Sequence, residues 1–504
     1  MLLSLTVLTP LIGALLLAAL PREPVAGVRR AAFVFSLVPL ACSLAMLGAF
    51  APGTADFQLV ERAEWIPAFG IAYHLGVDGV SLFLVVLTTV LTAIVVLAGF
   101  GDVHRHVKEY YVLFLVLETG MLGALLALDV FLFYVFWEVM LVPMYLLIGI
   151  WGGARRVYAT VKFVLFTMAG SLLMLVAAVY LGWKVKVATG SWGFGYDAIL
   201  ALGLSPREQL WLFGAFALAF AIKVPVFPLH TWLPDAHTEA PTGGSVILAG
   251  VLLKMGTYGF LRFAFPFFPD ATVVTAPLFL TLAVVGIVYG ALVAVRQADM
   301  KRLVAYSSVS HLGFVMLGLF ALDHTAGAGA VYQMLNHGVS TGGLFLLVGM
   351  LYERRHTRLL AEFGGLWAAV PGYAVALLVV LLASAGLPGL NGFVGEFLIL
   401  AGSFQRWPWA AAAATSGIIL GALYLLVMYQ RVAFGPLERE ENRRLADLDR
   451  REIAVIVPVI ALCIAMGLFP TPFLSRIEPS VERMLARVER AGTPAAVAHL
   501  GSPP

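Results

Sequence analysis

Apolar residues follow one another in long runs along the whole chain, and charged residues gather in the short stretches between these runs. A run of about 20 apolar residues is long enough to cross the hydrocarbon core of a bilayer as an α-helix. The pattern therefore predicts an all-α polytopic membrane protein with about 14 transmembrane helices. We place them near residues 2–20, 31–50, 79–100, 110–128, 130–151, 158–181, 210–228, 245–265, 276–295, 303–322, 326–352, 371–403, 409–434 and 452–470.

The composition agrees with this class of protein. The chain has 504 residues, of which 61% are hydrophobic and only 12% are charged, far from the average of a soluble domain. Cys42 and Cys463 lie alone in different apolar runs, so we expect packing residues rather than a disulfide, zinc or iron-sulfur site. The first apolar run has no basic residue before it and no cleavage site, so we interpret it as a spanning helix.

Lysine and arginine concentrate in alternate loops, including Arg155, Arg156, Lys301 and Arg302. Cytoplasmic loops carry such an excess. With an even number of helices, both termini are then expected on the periplasmic side of a bacterial cytoplasmic (inner) membrane. The basic stretch 439–451 is interleaved with acidic residues, which favours a solvated loop over a nucleic-acid-binding surface.

Landmarks that recur at similar spacing indicate a duplication within the chain. The matched residues are Asp129 with Asp299, Tyr158 with Tyr332, and Pro225 with Pro388. An odd number of predicted helices separates equivalent points, so the second copy lies upside down in the membrane. We therefore predict two inverted five-helix repeats, an arrangement typical of transporters. The expected divisions are an N-terminal three-helix segment (1–109), a first repeat with helices 4–8 (110–265), a second repeat with helices 9–13 (266–434), and a cytoplasmic loop, last helix and short tail (435–504).

Each predicted repeat contains one run that prolines and glycines interrupt. Predicted helix 7 includes Lys223 and Pro225, with Pro228 soon after, and predicted helix 12 includes GLPGLNGFVGE. Proline removes a backbone donor and clashes with the preceding turn, and the freed carbonyls need a partner at membrane depth. We therefore expect discontinuous helices 7 and 12. A simple kink is the alternative, but an ionisable residue stands beside each break, Lys223 in one and Glu396 in the other.

Ionisable residues inside predicted helices are expensive to hold in a membrane and mark a functional site. They are Glu118, Glu138, Lys162, Lys223, Lys254 and Glu396. A desolvated lysine keeps its proton when a carboxylate is near and releases it when the carboxylate moves away. Glu138 and Lys223 are thus a candidate proton switch, with Lys254 as the next acceptor and Glu396 as the terminal one. Glu118 joins this site or a neighbouring subunit's path, and Lys162 either takes part or extends to the membrane surface.

Histidines are candidates for bridging these groups, because imidazole titrates near neutral pH. His230, His237, His311 and His337 lie in or near the predicted helices. For each one, a hydrogen-bonded core or loop residue is the alternative. His311 and His337 rank higher as relay residues, since they lie in the middle of predicted helices.

Particular segments give the chain a specific resemblance to a known family. They read FWEVMLVPMYLLIGIWG, AIKVPVFPLHTWLPDAHTEAPTGGSVILAGVLLKMGTYG and LNHGVSTGGLFLLVG. In these segments, and over nearly its whole length, the chain resembles the antiporter-like subunits of respiratory complex I (NDH-1), the proton-pumping NADH:quinone oxidoreductase. Related subunits occur in multi-subunit sodium/proton antiporters and in membrane-bound hydrogenases.

The resemblance implies a proton-translocating subunit of the respiratory chain, in which Glu138 and Lys223 form the controlling pair, Lys254 is central and Glu396 leads to the exit. Glu396 stands where sister subunits usually carry lysine, which distinguishes one member of the family. Redox chemistry is implied for other subunits. We therefore expect no cofactor and no metal in this chain, with NADH, FMN, iron-sulfur clusters and quinone in partner subunits. The implied partners are neighbouring antiporter-like subunits of the L and N types, together with membrane lipids.

Two alternatives remain open. The first is a subunit of a multi-subunit sodium/proton antiporter or membrane-bound hydrogenase, against which Glu396 argues. The second is a structural membrane scaffold in which buried charges only hold helices together. A scaffold predicts that substitution of Lys223 lowers the amount of assembled complex, whereas a pump keeps the complex and loses translocation.

Overall fold

Among residues 1–491, which the computed structural model describes, twelve helices are long and apolar enough to cross a membrane. These helices confirm the predicted all-α polytopic class. Two further apolar segments are interrupted and contain shorter helices, so the total of about 14 crossings stays a prediction. The candidate spans are Leu2–Ala19, Val25–Ala49, Gly79–Asp102, Val107–Leu126, Val130–Trp151, Arg156–Thr189, Thr242–Phe267, Pro269–Val295, Met300–Phe320, His324–Arg355, Pro408–Ala433 and Arg450–Leu468.

A β-hairpin lies between the second and third helices. The elements in this part are α1 (Leu2–Ala19), α2 (Val25–Ala49), β1 (Gln58–Ile66), β2 (Ile71–Val77), α3 (Gly79–Asp102) and α4 (Val107–Leu126). The two strands pair antiparallel, and Gly70 turns the chain between them with φ of 63°. The hairpin was not predicted, because strands of 9 and 7 residues give a much weaker hydrophobic pattern than a spanning helix.

Residues 130–267 contain an interrupted segment and a continuous but irregular span. Its helices are α5 (Val130–Val139), α6 (Leu141–Trp151), α7 (Arg156–Thr189), α8 (Tyr196–Leu200), α9 (Pro206–Lys223), α10 (Trp232–Glu239), α11 (Thr242–Ile247), α12 (Leu253–Gly259) and α13 (Phe265–Phe267). Turns of π-helix, Leu248–Leu252 and Phe260–Ala264, join α11, α12 and α13 into one span. Met140 separates α5 from α6, a division that the sequence analysis did not expect.

The last part ends in an amphipathic helix. Its helices are α14 (Pro269–Val295), α15 (Met300–Phe320), α16 (His324–Arg355), α17 (Leu366–Ala369), α18 (Pro371–Ser384), α19 (Asn391–Arg406), α20 (Pro408–Ala433), α21 (Glu440–Arg443), α22 (Arg450–Leu468) and α23 (Thr471–Ala491). α23 packs against α3, α14 and α16. It corrects the predicted short tail, whose charged residues made it too polar to be recognised as a helix by hydropathy. The end of that tail, 492–504, lies outside the described residues.

Both predicted discontinuities are present. α9 ends at Lys223, earlier than the expected boundary near 228, and the next helix begins at Trp232. α18 ends at Ser384, and α19 begins at Asn391. Glycines with positive φ values of 76° and 93°, at positions 386 and 389, allow the second break. Each break leaves an ionisable residue, Lys223 or Glu396, next to irregular backbone, as the sequence indicated.

The aspartates of the predicted duplication occupy matching structural positions. Asp129 caps α5 and Asp299 caps α15, and each carboxylate accepts hydrogen bonds from two backbone N–H groups of the first turn. Asp129 also accepts from Ala72 of the hairpin at 3.2 Å. Asp299 lies at the opposite end of the bundle, where it pairs with Arg358 at 3.1 Å. The opposite placement agrees with inverted copies, although the repeat boundaries themselves stay a prediction.

The irregular span Thr242–Phe267 and the long helix α16 form the centre of the bundle. The span Thr242–Phe267 and α16 are buried along the whole of their most apolar stretch, 100% in each case. α16 packs against α15, α18, α19, α22 and α23, and also against the π-helical turn Leu248–Leu252. Side chains on their facing surfaces are therefore shielded from lipid.

A buried ion pair joins the start of α3 to the span Thr242–Phe267. The guanidinium of Arg262 lies 2.5 Å from the Asp78 carboxylate, and the two side chains are only 1% and 2% exposed. Arg262 Nε donates to the Tyr258 hydroxyl at 3.0 Å, and that hydroxyl donates to the carbonyl of Leu125 at 2.8 Å. Asp78 also caps α3. The charges are thus fully partnered, which favours a structural role.

We expect Arg262→Met to lower the stability of the purified protein in detergent by about 3–5 kcal/mol, because Asp78 then stays buried without its counter-charge. The double variant Asp78→Asn/Arg262→Met leaves no buried charge and regains part of this loss. The apparent melting temperature measures both. Arg443→Met, at an exposed ion pair, is the control. A double variant as unstable as the single one contradicts the assignment.

Candidate functional site

Lys254 and His337 form a contact at the centre of the bundle. The Lys254 ammonium lies 2.6 Å from His337 Nδ1 and also donates to the carbonyl of Ala249. Both side chains are buried, Lys254 on α12 and His337 on α16. Ala249 belongs to the π-helical turn before α12. A π-helical turn alters the backbone pairing locally, and here one of its carbonyls serves the lysine.

His311 extends this contact towards Glu396. The rings of His311 and His337 are 5.9 Å apart between centroids. His311 Nδ1 lies 3.1 Å from Glu396 Oε1, and the same oxygen accepts a hydrogen bond from Gln333 Nε2 at 3.1 Å. Tyr424 lies on the other side of His311, with its hydroxyl 3.4 Å from Nε2. Lys254, His337, His311 and Glu396 thus form one connected series, which we call the central row.

Local sequence explains how the acidic end of the central row is positioned. Gln333 and His337 are four residues apart on α16, so they lie on one face of that helix. Glu396 lies near the start of α19, directly after the break. A Cβ atom at Gly386 would lie 2.9 Å from Glu396 Oε2, and Gly386 has φ of 76°. Glycine at this position therefore gives the carboxylate its space.

Lys223 and Glu138 lie in a second cluster, where the predicted pair is not in direct contact. Lys223 is 3% exposed at the C-terminal end of α9. Its ammonium lies 4.9 Å from the centre of the Trp137 ring, a cation–π contact. Glu138, the next residue along α5, is close enough for its charge to act on both Lys223 and Tyr134. Within residues 1–491, no carboxylate lies at ion-pair distance from Lys223.

Lys162 and His230 are placed away from the central row. Lys162 pairs with Asp235 of α10 at 2.8 Å, and the two side chains are 21% and 16% exposed. Its charge also acts on His230, whose ring packs against Phe227 and Tyr289. Because Lys162 pairs with Asp235, its ammonium has a partner without extending to the membrane surface. A relay role for Lys162 and His230 stays a prediction.

His237 and Glu118 are buried without hydrogen-bond partners. The His237 ring stacks on Phe345 with centroids 4.6 Å apart, and both of its nitrogens lack a partner among the described residues. The charges of Lys301 and Lys254 act on it. Glu118 lies on α4 and is 0% exposed, and both of its oxygens also lack a partner within residues 1–491. His237 is therefore electrostatically connected to the central row, whereas no contact connects Glu118.

The structure adds side chains that the sequence analysis did not single out. Gln333 and Tyr424 contact the central row, Trp137 holds Lys223, and Asp235 holds Lys162. Gln333 could have been recognised from the sequence, because it precedes His337 by one helical turn. Tyr424 could not, since its position next to His311 depends on the packing of α20 against α15. Within residues 1–491, no group of three or more His, Cys, Asp or Glu side chains is arranged to hold a metal ion.

This geometry suits the transfer of protons. Each member of the central row can carry a proton. Lys254 lies at hydrogen-bond distance from His337, and His311 from Glu396, while the rings of His337 and His311 are 5.9 Å apart between centroids. Burial removes the row from bulk water, so protons reach it only through other side chains or through bound water. In the Lys223 cluster, the lysine lies near the Glu138 carboxylate without an ion pair between them.

Comparisons with known proteins match this chain to a family. The family described as NADH:quinone oxidoreductase/Mrp antiporter, transmembrane, matches residues 127–421. The chain is 46% identical over 495 residues to NADH-quinone oxidoreductase subunit M of Rhodobacter capsulatus, covering 96% of both. It is 42% identical over 480 residues to NADH-ubiquinone oxidoreductase chain 4 of Marchantia polymorpha, covering 95% of this chain and 96% of the relative.

Solved structures share the fold. A chain of respiratory complex I from Thermus thermophilus with bound NADH superposes with a TM-score of 0.88 at 35% identity, covering 97% of this chain and 100% of that chain. A chain of the Mrp complex from Dietzia superposes with a TM-score of 0.81 at 22% identity, covering 97% and 99%. A membrane-bound sulfane sulfur reductase, an archaeal respiratory membrane complex, gives 0.83 at 22% identity, covering 96% and 99%. The last two likenesses show the fold alone.

We expect Glu118→Leu to leave the stability of the protein unchanged or to raise it by up to about 2 kcal/mol, because a buried carboxyl without a partner costs free energy that leucine does not. Thermal unfolding in detergent measures the effect. Glu452→Leu, which removes a buried carboxylate paired with Arg354 at 2.6 Å, is the matched comparison and should destabilise. A marked loss of stability for Glu118→Leu would show that its carboxyl has a structural partner.

Proposed function

Because the chain belongs to the NADH:quinone oxidoreductase/Mrp antiporter family, we propose that it is an M-type antiporter-like subunit of a proton-pumping NADH:quinone oxidoreductase and that protons cross the membrane through its buried side chains. The observation that carries this proposal is the central row, in which Lys254, His337, His311 and Glu396 are connected inside the bundle. Of these, Lys254 and Glu396 were expected on the proton path from the sequence, and the two histidines were expected as bridges.

The Lys223 cluster controls the delivery of protons to the row. In the present conformation the Lys223 ammonium rests on the Trp137 ring, and Glu138 is held near Tyr134. When Glu138 approaches Lys223, the ion pair favours the protonated lysine; when Glu138 withdraws, burial favours release of the proton. A conformational change in α5 therefore sets whether Lys223 holds or releases its proton. The division of this segment at Met140 gives α5 a boundary at which to move.

Within the row, each step passes a proton between neighbours. Lys254 donates to His337 Nδ1, and His337 then holds a proton on each nitrogen or releases the one on Nε2. His311 receives the proton and, through Nδ1, transfers it to the Glu396 carboxylate. Gln333 donates to the same oxygen and holds the carboxylate in place. Glu396, beside the break between α18 and α19, passes the proton towards the exit.

Energy for this cycle comes from outside the chain. The redox reaction takes place in partner subunits, which hold NADH, FMN, iron-sulfur clusters and quinone, and no cofactor is assigned to this chain. The signal arrives through neighbouring antiporter-like subunits of the L and N types as a conformational or electrostatic change. The complex lies in a bacterial cytoplasmic membrane, among its lipids, and both termini of this chain face the periplasm.

Two other functions are tested by the same experiments. A subunit of a sodium/proton antiporter or membrane-bound hydrogenase has the same fold, but the chain's 46% identity to a subunit M favours the oxidoreductase. A scaffold function is consistent with fully partnered charges such as Arg262 and Asp78. It does not explain why, within residues 1–491, Lys223 and Lys254 are buried with no carboxylate at ion-pair distance.

We expect Lys223→Ala to lower the proton pumping coupled to NADH oxidation by the share that this chain contributes while leaving the complex assembled, because the variant removes a titrating group and no ion pair. Proton uptake by inverted membrane vesicles, NADH oxidation and the amount of complex are measured in the same samples. Lys186→Ala removes an exposed lysine of α7 and is the matched control.

Loss of the assembled complex in Lys223→Ala vesicles would support the scaffold. Unchanged pumping per NADH oxidised in fully assembled Lys223→Ala complex would reject the switch. Replacement of sodium by potassium in the same assay separates the antiporter, whose transport then falls, from the proton pump, whose transport does not change.

A further inference from the structure

A polar cavity opens at the end of the bundle opposite the hairpin. It has a volume of about 430 Å³ and is lined by charged side chains from four helices and the loop after α16, namely Asp102, Glu239, Lys301, Glu353 and Arg358. The exposed residues His104 and His356 also line it. The volume is sufficient for many water molecules. The cavity is separate from the central row, whose four members do not line it.

Lys301 lies in the wall of this cavity, at the start of α15, and is only 6% exposed. Its ammonium donates to the carbonyl of Ala240. The charges of Asp102, Asp299, Glu239 and Arg358 act on it. Within residues 1–491, no carboxylate lies at ion-pair distance from the ammonium. The Lys301 side chain is therefore held by a single backbone carbonyl, and the carboxylates of Asp102 and Glu239 line the same cavity.

His237 lies close to this contact along the chain, three residues before Ala240. It belongs to the last turn of α10, whose end is the same Ala240 that holds Lys301. His237 is 0% exposed, and both of its ring nitrogens lack a partner among the described residues. The charges of Lys301 and Lys254 both act on the ring. His237 thus interacts through charge with Lys301 in the cavity wall and with Lys254, which begins the central row.

A fixed positive charge in a narrow passage excludes protons and other cations. We propose that Lys301 is a charge gate between the polar cavity and the central row, and that its ammonium must leave the Ala240 carbonyl before a proton can reach His237. The inference rests on the proposed proton-pumping function. The gate opens when the ammonium moves towards the carboxylates of Asp102 and Glu239, which removes its charge from the path. The conformation described above is the closed one.

The gate answers a requirement of any pump. A continuous row of proton-carrying groups would conduct protons back along their gradient if the row stayed open to bulk water. Lys301 prevents this, because a proton entering the passage would have to approach an ammonium that has no neutralising ion pair. His237 is the receiving group, and its unpartnered nitrogens are free to accept a proton when the gate opens. Lys301 is a positioning residue here and not a member of the row.

The test is the proton leak of the whole complex reconstituted into liposomes. A pH gradient is imposed without NADH, and its decay is followed for the wild type and for Lys301→Met. We expect proton conductance to rise by roughly tenfold, since the barrier from a nearby unit charge at intermediate polarity corresponds to at least that factor. With NADH, oxidation continues in Lys301→Met while the steady pH gradient falls. Lys301→Arg keeps the charge and should stay tight.

Arg302→Met is the matched control, because it removes a positive charge from the adjacent, half-buried residue, which does not line the cavity. Liposomes containing Lys301→Met that are as tight as the wild type would overturn the gate. A Lys301→Met complex that stops pumping without any leak would also overturn it, since the ammonium would then be a proton carrier. If Lys301→Met does not assemble, Lys301→Gln is judged by the same two criteria.

Lys223→Ala, measured in the same liposomes, separates this inference from the proposed function. Lowered pumping in Lys223→Ala together with a tight Lys301→Met rejects the gate and leaves the relay intact. Pumping in Lys223→Ala that is unchanged from the wild type rejects the relay, and it rejects the gate as well. A leak in Lys301→Met with lowered pumping in Lys223→Ala supports both.

Discussion

Ionised side chains inside a bundle of apolar helices must find their partners within the bundle, because the surrounding hydrocarbon supplies none. This chain meets the requirement in two ways. Arg262 and Asp78 form a closed ion pair with further hydrogen bonds on both sides. Lys223 and Lys254 are held by neutral groups instead, an indole ring and an imidazole. A lysine with a neutral partner can lose its proton without leaving an unpaired carboxylate behind, whereas a lysine in an ion pair cannot.

Irregular backbone supplies carbonyl partners for two of the buried lysines, Lys254 and Lys301. A π-helical turn presents the Ala249 carbonyl to Lys254, and the end of α10 presents the Ala240 carbonyl to Lys301. The break before α19 brings Glu396 against His311 and Gln333. A regular helix would keep these carbonyls in its own hydrogen bonds. The interruptions are therefore the places where the bundle can bind a cation or pass a proton, and each of them lies beside an ionisable side chain.

The sequence predicted those features that depend on the local pattern of residues. Runs of apolar residues predicted the membrane class, prolines and glycines predicted the two breaks, and isolated charges predicted Lys254 and Glu396 as neighbours of mid-helix histidines. The hairpin and α23 were missed, because short strands and a charged amphipathic helix give little hydropathy signal. Tyr424, Trp137 and Lys301 were missed as members of sites, since only packing between distant helices places them there. The contact between Glu138 and Lys223 depends on conformation, which sequence does not specify.

The central claim is that the row from Lys254 to Glu396 is a single proton path. The most direct measurement is the number of protons pumped per NADH oxidised by reconstituted complex carrying His337→Leu, which removes the middle link and leaves the outer groups in place. The account predicts that this ratio falls by the share that this chain contributes, while the complex stays assembled. An unchanged ratio in fully assembled His337→Leu complex would contradict it, because protons would then cross without the central contact between Lys254 and His337.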